Sequence, residues 1–119
     1  MATRMSVFDW VEENRSRIGF ALQAVPRPDD PAGSRRILDA SLLAEELAFD
    51  ASFLSDHPAY TPKCWLHLAA LATITSRIHL GSTVICALYR HPVMTSRLTG
   101  DLDNLSEGSA ILGLGAGWN

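Results

Sequence analysis

Asp56 and His57 stand side by side in Ser55-Asp56-His57-Pro58, an acid and an imidazole stiffened by a proline. Imidazole titrates near neutrality, so a histidine beside a carboxylate is a candidate proton handler. The competing reading is a turn, with Asp56 accepting from backbone N–H groups and His57 half exposed, and the residue types leave both open. A second pair, Arg90-His91, stands before Pro92. Its guanidinium would hold an anion or, more often in such settings, a neighbouring carboxylate. His67 and His79 fall among apolar residues and read as packing or surface positions. Cys64 and Cys86 have no second ligand at metal spacing, and they read as buried free thiols rather than a zinc site or a disulfide. No His-x-His pair or carboxylate cluster points to a metal.

Gly113, Gly115 and Gly117 spell G-x-G-x-G in "AILGLGAGWN". The dinucleotide fingerprint wants its third glycine where Trp118 stands, and it wants to follow the first strand and open a helix. Glycines that alternate along a strand instead leave one face bare, which lets a flat ring or another backbone come close. A planar cofactor over that face fits this better than a phosphate does.

The elements that must position these residues alternate in period. After a polar lead-in over 1–16, "RIGFALQ" (17–23) carries Ile18, Phe20 and Leu22 at period two and predicts a strand. The spacing predicts a helix over 35–49, with Leu38, Leu42 and Leu47 opposite Glu45 and Glu46. "DASFLS" (50–55) is a second strand, and "CWLHLAALATITS" (64–76) a helix with a seam of Trp65, Leu68, Ala69 and Ala72. "RIHLGSTV" (77–84) is a third strand, and "ICALYRHP" (85–92) a loop. A helix over 93–106 carries Met94, Leu98, Leu102 and Leu105, with Pro92 suited to its first turn. "SAILGLG" (109–115) is the fourth strand.

Strand starts recur every 27 to 33 residues, the spacing of strand-helix-strand units and hence of parallel pairing. Such folds place chemistry just past the strands, where Ser55, Asp56, His57, Arg90 and the glycines fall. Gln23 and Ala24, past the first strand, read as plain loop. A closed eight-stranded barrel needs about 250 residues, roughly twice the length here. Length alone therefore leans to a doubly wound sheet of four strands.

The 119 residues have a net charge of −3, and their ten Lys and Arg are scattered, which leaves no basic footprint for nucleic acid. The start is too polar for a signal peptide, and "CWLHLAALATI" is far short of the roughly 20 apolar residues of a membrane span. The expectation is a cytoplasmic protein with neither nucleic acid nor membrane as a partner.

"RIGFALQ", "FDASFLSDH", "LGSTV" and "YRHPVMTSRLTGDLDNLSEGSAILGLGAGWN" resemble, in order and spacing, the amino-terminal half of the luciferase-like flavin-dependent monooxygenases. That group includes relatives that use an 8-hydroxy-5-deazaflavin instead of FMN. The resemblance covers residues 17–119 and implies an α/β fold, the four-stranded half of a TIM (β/α)8 barrel, with the flavin ring at the carboxyl ends of the strands. It matches His57 to a catalytic histidine near the reactive edge of the ring and Asp56 to the acid beside it. It further implies a non-proline cis peptide between Thr83 and Val84 backing the ring, with Cys86 and Gly117 completing the cofactor's surroundings. FMN or the deazaflavin is the implied cofactor, a small molecule the substrate, and a flavin reductase the partner in the FMN case.

Two departures matter. Leu105-Ser106-Glu107-Gly108-Ser109 replaces a common "LSGGR", which drops a basic residue, and Trp118 stands where a sugar-phosphate-oxidising branch has glutamate. That substrate class is therefore disfavoured. The family's phosphate-binding loops belong to later strands, so the chain reads as a partial one that binds flavin weakly or not at all alone. The alternative is a non-catalytic half-barrel that acts by pairing, with itself or another chain, through exposed sheet edges. A small doubly wound nucleotide binder fits least, because the glycine fingerprint fails.

Overall fold

Short β-prone runs alternate with helical periodicity, and in a computed structural model, which describes residues 5–25, 29–57 and 63–117, the chain folds accordingly. Strands β1 (Ala21–Ala24), β2 (Ala51–Leu54), β3 (His79–Ser82) and β5 (Ala110–Ile111) form one parallel sheet in that order. Ala51 lies opposite Ala21 on one side and His79 on the other, and Leu80 lies opposite Ala110. β4 (Ile85–Cys86) and β6 (Leu114–Gly115) pair in parallel as a separate two-stranded ladder. Helices α2 (Gly33–Glu46), α3 (Cys64–Ile74) and α4 (Pro92–Leu105) connect the strands, and α3 packs between the other two.

Strand order follows chain order without reversal, and successive helices are neighbours. This is the winding of a barrel segment; a doubly wound sheet reverses its order at a switch point. The half-barrel expectation holds, and the leaning drawn from length alone does not. Leu54, Leu68, Leu71, Ile78, Leu80 and Ile85 are buried together between sheet and helices. Every position of β3 is buried, as a strand covered on both faces requires.

Several predicted details shift. The fully buried α2 seam is Ile37, Ser41 and Ala44, with Leu38 packed at its edge, Leu42 half-buried and Leu47 exposed, because the buried Ser41 hydroxyl meets that of Ser52 at 2.8 Å and small side chains let the helix approach the sheet. In α4, Thr95 and Leu102 are buried, and Met94 and Leu105 face solvent. Glu45 is no solvated bystander: its Oε1 accepts from the backbone N–H of Ser76, Arg77 and Ile78 at 2.9, 2.6 and 2.9 Å, which shapes the turn into β3.

The first strand starts later than its alternation implies, and Ile18 and Phe20 are 80% and 64% exposed. Pairing begins only where Asp50 catches the chain. Its N–H donates to the Phe20 carbonyl and its Oδ2 accepts from the Phe20 N–H, both at 2.8 Å, while Oδ1 accepts from the Arg17 guanidinium. The polar lead-in contains a helix, α1 (Val7–Glu13), capped by the Ser6 hydroxyl, which accepts from the Asp9 N–H at 3.2 Å. None of its residues is buried, although Val7, Trp10 and Val11 stand at helical spacing. It sits at the amino end of the sheet, where the Val7 N–H donates to the Gly108 carbonyl at 3.0 Å and the Trp10 ring meets His79 edge-on at 5.1 Å.

Burial pushes the Asp50 carboxyl up, but the Phe20 N–H, the Arg17 guanidinium and the Trp10 indole outweigh it and hold the group below its ordinary 3.8. A carboxyl depressed in the folded state stabilises above its unfolded pKa, and that contribution is lost as pH falls through the depressed value. Asp50→Asn is therefore expected to flatten the acid limb of the stability–pH curve below about pH 4, measured by urea denaturation at successive pH values. A variant curve that keeps the wild-type slope contradicts this.

Candidate active site

The carboxyl ends of the strands gather the residues that the sequence singles out. β2 ends at Leu54 and delivers Ser55, Asp56 and His57, and β3 ends at Ser82 and delivers Thr83 and Val84. The peptide bond between Thr83 and Val84 is cis, where the resemblance placed it. It separates β3 from β4, so the predicted 77–84 strand ends early and Ile85 and Cys86 are strand rather than loop.

A hydrogen-bond chain crosses this end of the sheet. Gln23 Nε2 donates to Ser55 Oγ at 3.0 Å, and Ser55 Oγ donates to the Thr83 carbonyl at 3.4 Å. The Thr83 N–H donates back to the Leu54 carbonyl at 2.9 Å. Gln23 is thus part of β1, not plain loop, and it couples three successive strands. His57 is half-buried, and Thr83 and Val84 are exposed. Pro58 lies outside the described residues.

Asp56 and Arg90 form a bidentate ion pair, with Nη1 to Oδ2 at 2.5 Å and Nη2 to Oδ1 at 3.0 Å. The Asp56 side chain is 5% exposed and that of Arg90 22%. The hydrogen bonds to Asp56 raise the guanidinium's already high pKa against the opposing effect of burial. Of the two roles open to Arg90, the structure selects the neighbouring carboxylate. Cys64 lies close by; burial, and then the Asp56 charge, push its thiol up to about 12. Both cysteines are buried and free.

The glycines answer to a different neighbour from the one their pattern evokes. A Cβ on Gly113 would meet the Ser82 carbonyl oxygen at 2.2 Å, and one on Gly115 would meet Val84 Cγ2 at 2.4 Å. The bare face receives the chain's own third-strand extension, not open space for a ring. The predicted single strand over 109–115 is accordingly two, β5 and β6, broken at Leu112 and Gly113. There the Ser82 hydroxyl both accepts from the Gly113 N–H at 3.1 Å and donates to its carbonyl at 3.0 Å. Gly117 has a φ of +106° and a hypothetical Cβ 2.9 Å from Cys86 Sγ, so those two predicted site residues adjoin each other. Trp118 lies outside the described residues.

The remaining histidines are structural. His91 caps α4, its Nδ1 accepting from the Val93 N–H at 3.3 Å. His91→Ala is expected to cost about 0.5–1 kcal/mol of unfolding free energy by urea denaturation; no loss would remove the cap from the account. His67 Nδ1 lies 3.0 Å from the Lys63 carbonyl, and His79 is buried at the opposite end of β3 from Thr83. No group of three His, Cys, Asp or Glu among the described residues has the arrangement of a metal site, and no described helix is long and apolar enough to cross a membrane.

Residues 16–119 match the sequence profile of the luciferase-like monooxygenases. The chain belongs to that family. Among the relatives of this luciferase-like chain, a coenzyme F420-dependent glucose-6-phosphate dehydrogenase of Intrasporangium calvum is 34% identical over 93 residues, 71% of this chain and 28% of that protein. A 5,10-methylenetetrahydromethanopterin reductase of Methanopyrus kandleri is 31% identical over 103 residues, 86% of this chain and 28% of the reductase.

The solved structure of the coenzyme F420-dependent tetrahydromethanopterin reductase from the same organism superposes with a TM-score of 0.76 at 30% identity. It covers 86% of this chain, which matches 28% of that structure. The oxygenating constituent of 3,6-diketocamphane monooxygenase from Pseudomonas putida, solved with FMN, superposes at 0.78 with 24% identity over 86% of this chain and 30% of its own, a likeness of fold. The luciferase-like chain thus spans under a third of the length of these relatives.

Sequence reasoning missed Gln23, Ser55 and Ser82 as organising residues of this luciferase-like site. The signal available for the first two was position, since both fall at the carboxyl ends of strands. Ser82 ends β3 as well, but the apolar pattern runs on to Val84 and hides the break that follows it.

Proposed function

We propose that this chain supplies the cofactor-ring side of a flavin- or deazaflavin-dependent oxidoreductase, with His57 as the proton-handling catalytic residue. One observation carries the reading. Through Ser55, the loop that bears His57 is hydrogen-bonded to the carbonyl of the exposed Thr83–Val84 segment, so that loop and the backing surface belong to one wall. Ring binding needs such a wall: an exposed face, here Thr83 and Val84, with Gly117 beside the buried Cys86 beyond it, and a titratable group at its edge. A bound flavin or deazaflavin supplies two-electron redox chemistry. His57 then holds or accepts a proton at the edge of the wall, Asp56 keeps the loop in place, and Thr83 and Val84 orient the ring.

Arg90 has both terminal nitrogens bonded to Asp56, so its charge is already matched by a carboxylate. Cofactor binding by these residues alone is accordingly weak. The glucose-6-phosphate dehydrogenase and the solved reductase named for coenzyme F420 share 34% and 30% identity, and the FMN-bound structure speaks to fold, which favours the deazaflavin. With FMN, a separate flavin reductase is the partner that delivers electrons. The substrate is a small molecule.

In any assembly of this chain that turns over, His57→Ala is expected to lower flavin-linked kcat by about 10²-fold or more with cofactor affinity nearly unchanged. Unchanged turnover would remove His57 from the catalytic role. A second reading, pairing through sheet edges, rests on β1: β2 is its one partner among the described strands, and Ile18 and Phe20 beside it are exposed. Sedimentation equilibrium showing a monomer at high micromolar concentration counts against it.

A further inference from the structure

We infer that Arg90 is a positioning residue for His57, acting through Asp56. The two bonds, at 2.5 and 3.0 Å, join residues 34 positions apart, one in the loop after β2 and one at the end of the turn that follows β4. Two parallel N–H···O bonds fix the plane of a carboxylate, which a single point charge does not. The Asp56 carboxylate is nearly sealed from water, so solvent does not compete for it.

Arg90 is itself held. His91, next in the chain, caps α4, and Pro92 begins that helix, so the guanidinium departs from a fixed backbone. On the other side, Ser55 is tied to Gln23 and to the Thr83 carbonyl. His57 therefore follows two residues whose side chains are both fixed, one to the strand ends and one to the start of α4. In this arrangement the oxygens of Asp56 serve Arg90 instead of turning toward a ligand, so the acid next to the imidazole acts on the loop. The catalytic consequence rests on the role proposed above for His57; the geometric claim stands on the ion pair.

The full chain, labelled with 13C and 15N, tests this in wild-type form and as Arg90→Lys, with Asp56→Asn as a second variant and thermal denaturation recorded for each. Arg90→Lys keeps the charge and the apolar stem but loses the fork. The expected result is that backbone order parameters of Ser55–His57 fall from about 0.85 toward 0.6 or below. Those of Ala51–Leu54 stay at the wild-type value, and the His57 Hε1–Cε1 signal broadens or splits. Asp56→Asn is expected to do the same. A purely structural role would lower the melting temperature and leave this local contrast unmoved.

Wild-type order at His57 in Arg90→Lys overturns the inference. So does an Arg90→Lys chain that fails to fold, because the pair then serves the fold and not the loop. Titration of each variant with FMN and with the deazaflavin separates the two claims. His57 disordered by Arg90→Lys, with no cofactor response in any chain, keeps the positioning role and removes the functional reading. An ordered His57 removes the positioning role whatever the cofactor does.

Discussion

Gly113→Ala is expected to destabilise the chain by about 3 kcal/mol, at the upper end of overpacking costs. The added methyl would sit 2.2 Å from the Ser82 carbonyl oxygen, and a backbone atom has no rotamer by which to withdraw. The same spot carries the Ile85 N–H bond to the Gly113 carbonyl at 2.8 Å and both bonds of the Ser82 hydroxyl, so a shift that relieves the clash loosens three hydrogen bonds. Gly115→Ala meets a different obstacle, the Val84 methyl at 2.4 Å, and a side chain can be removed. Val84→Ala is therefore expected to recover most of the stability lost in Gly115→Ala and little of that lost in Gly113→Ala. A urea-denaturation double-mutant cycle reads both couplings. Equal rescue at the two glycines would show that the Val84 side chain, not the Ser82 backbone, sets the spacing at Gly113.

Asp56→Ala is expected to cost about 2–3 kcal/mol. Removing one partner of a buried pair costs about 3–5 kcal/mol because the other charge is left uncompensated; the partial exposure of Arg90 lowers the figure here. The loss is expected to be no larger than that of Arg90→Met, which leaves the more deeply buried of the two charges without its partner. Replacing both residues, Asp56→Leu with Arg90→Met, is expected to return part of the stability, since an apolar pair of similar volume leaves no orphaned charge. Urea denaturation of the two single variants and the double decides this, and strictly additive losses would mean that the pair contributes no coupling.

The parts of this molecule legible in its sequence are those governed by period. β2, α3 and α4 lie within two residues of their predicted bounds at each end, because a short apolar strand, a helix apolar nearly all round and an amphipathic helix each mark their extent in the apolar pattern. Where polar atoms do the packing, the pattern misleads. Ser41 faces the core because Ser52 meets it there, which moves the centre of the α2 seam off the leucines. α1 falls in a stretch read as a polar lead-in, although Val7, Trp10 and Val11 stand there at helical spacing.

The site divides in the same way. Its residues were legible as types at the carboxyl ends of strands, and the position of the cis peptide came from resemblance to a family. Their partners were not legible: the Asp56–Arg90 pair and the Gln23–Ser55–Thr83 chain link residues about thirty positions apart, and no local rule couples them. The glycines show the opposite error, a correct reading of a bare face with the wrong occupant. Close approach was required, and Val84 and the Ser82 backbone make it.

The most direct test of the central claim is amide chemical-shift mapping on the full labelled chain with FMN and, separately, with the 8-hydroxy-5-deazaflavin chromophore, each raised to millimolar concentration. Perturbations confined to His57, Thr83, Val84, Cys86 and Gly117, saturating in the millimolar range, are the predicted result. Shifts centred on α1 and the amino ends of the strands, or no shift with either compound, would contradict the assignment of this wall to a flavin-type ring.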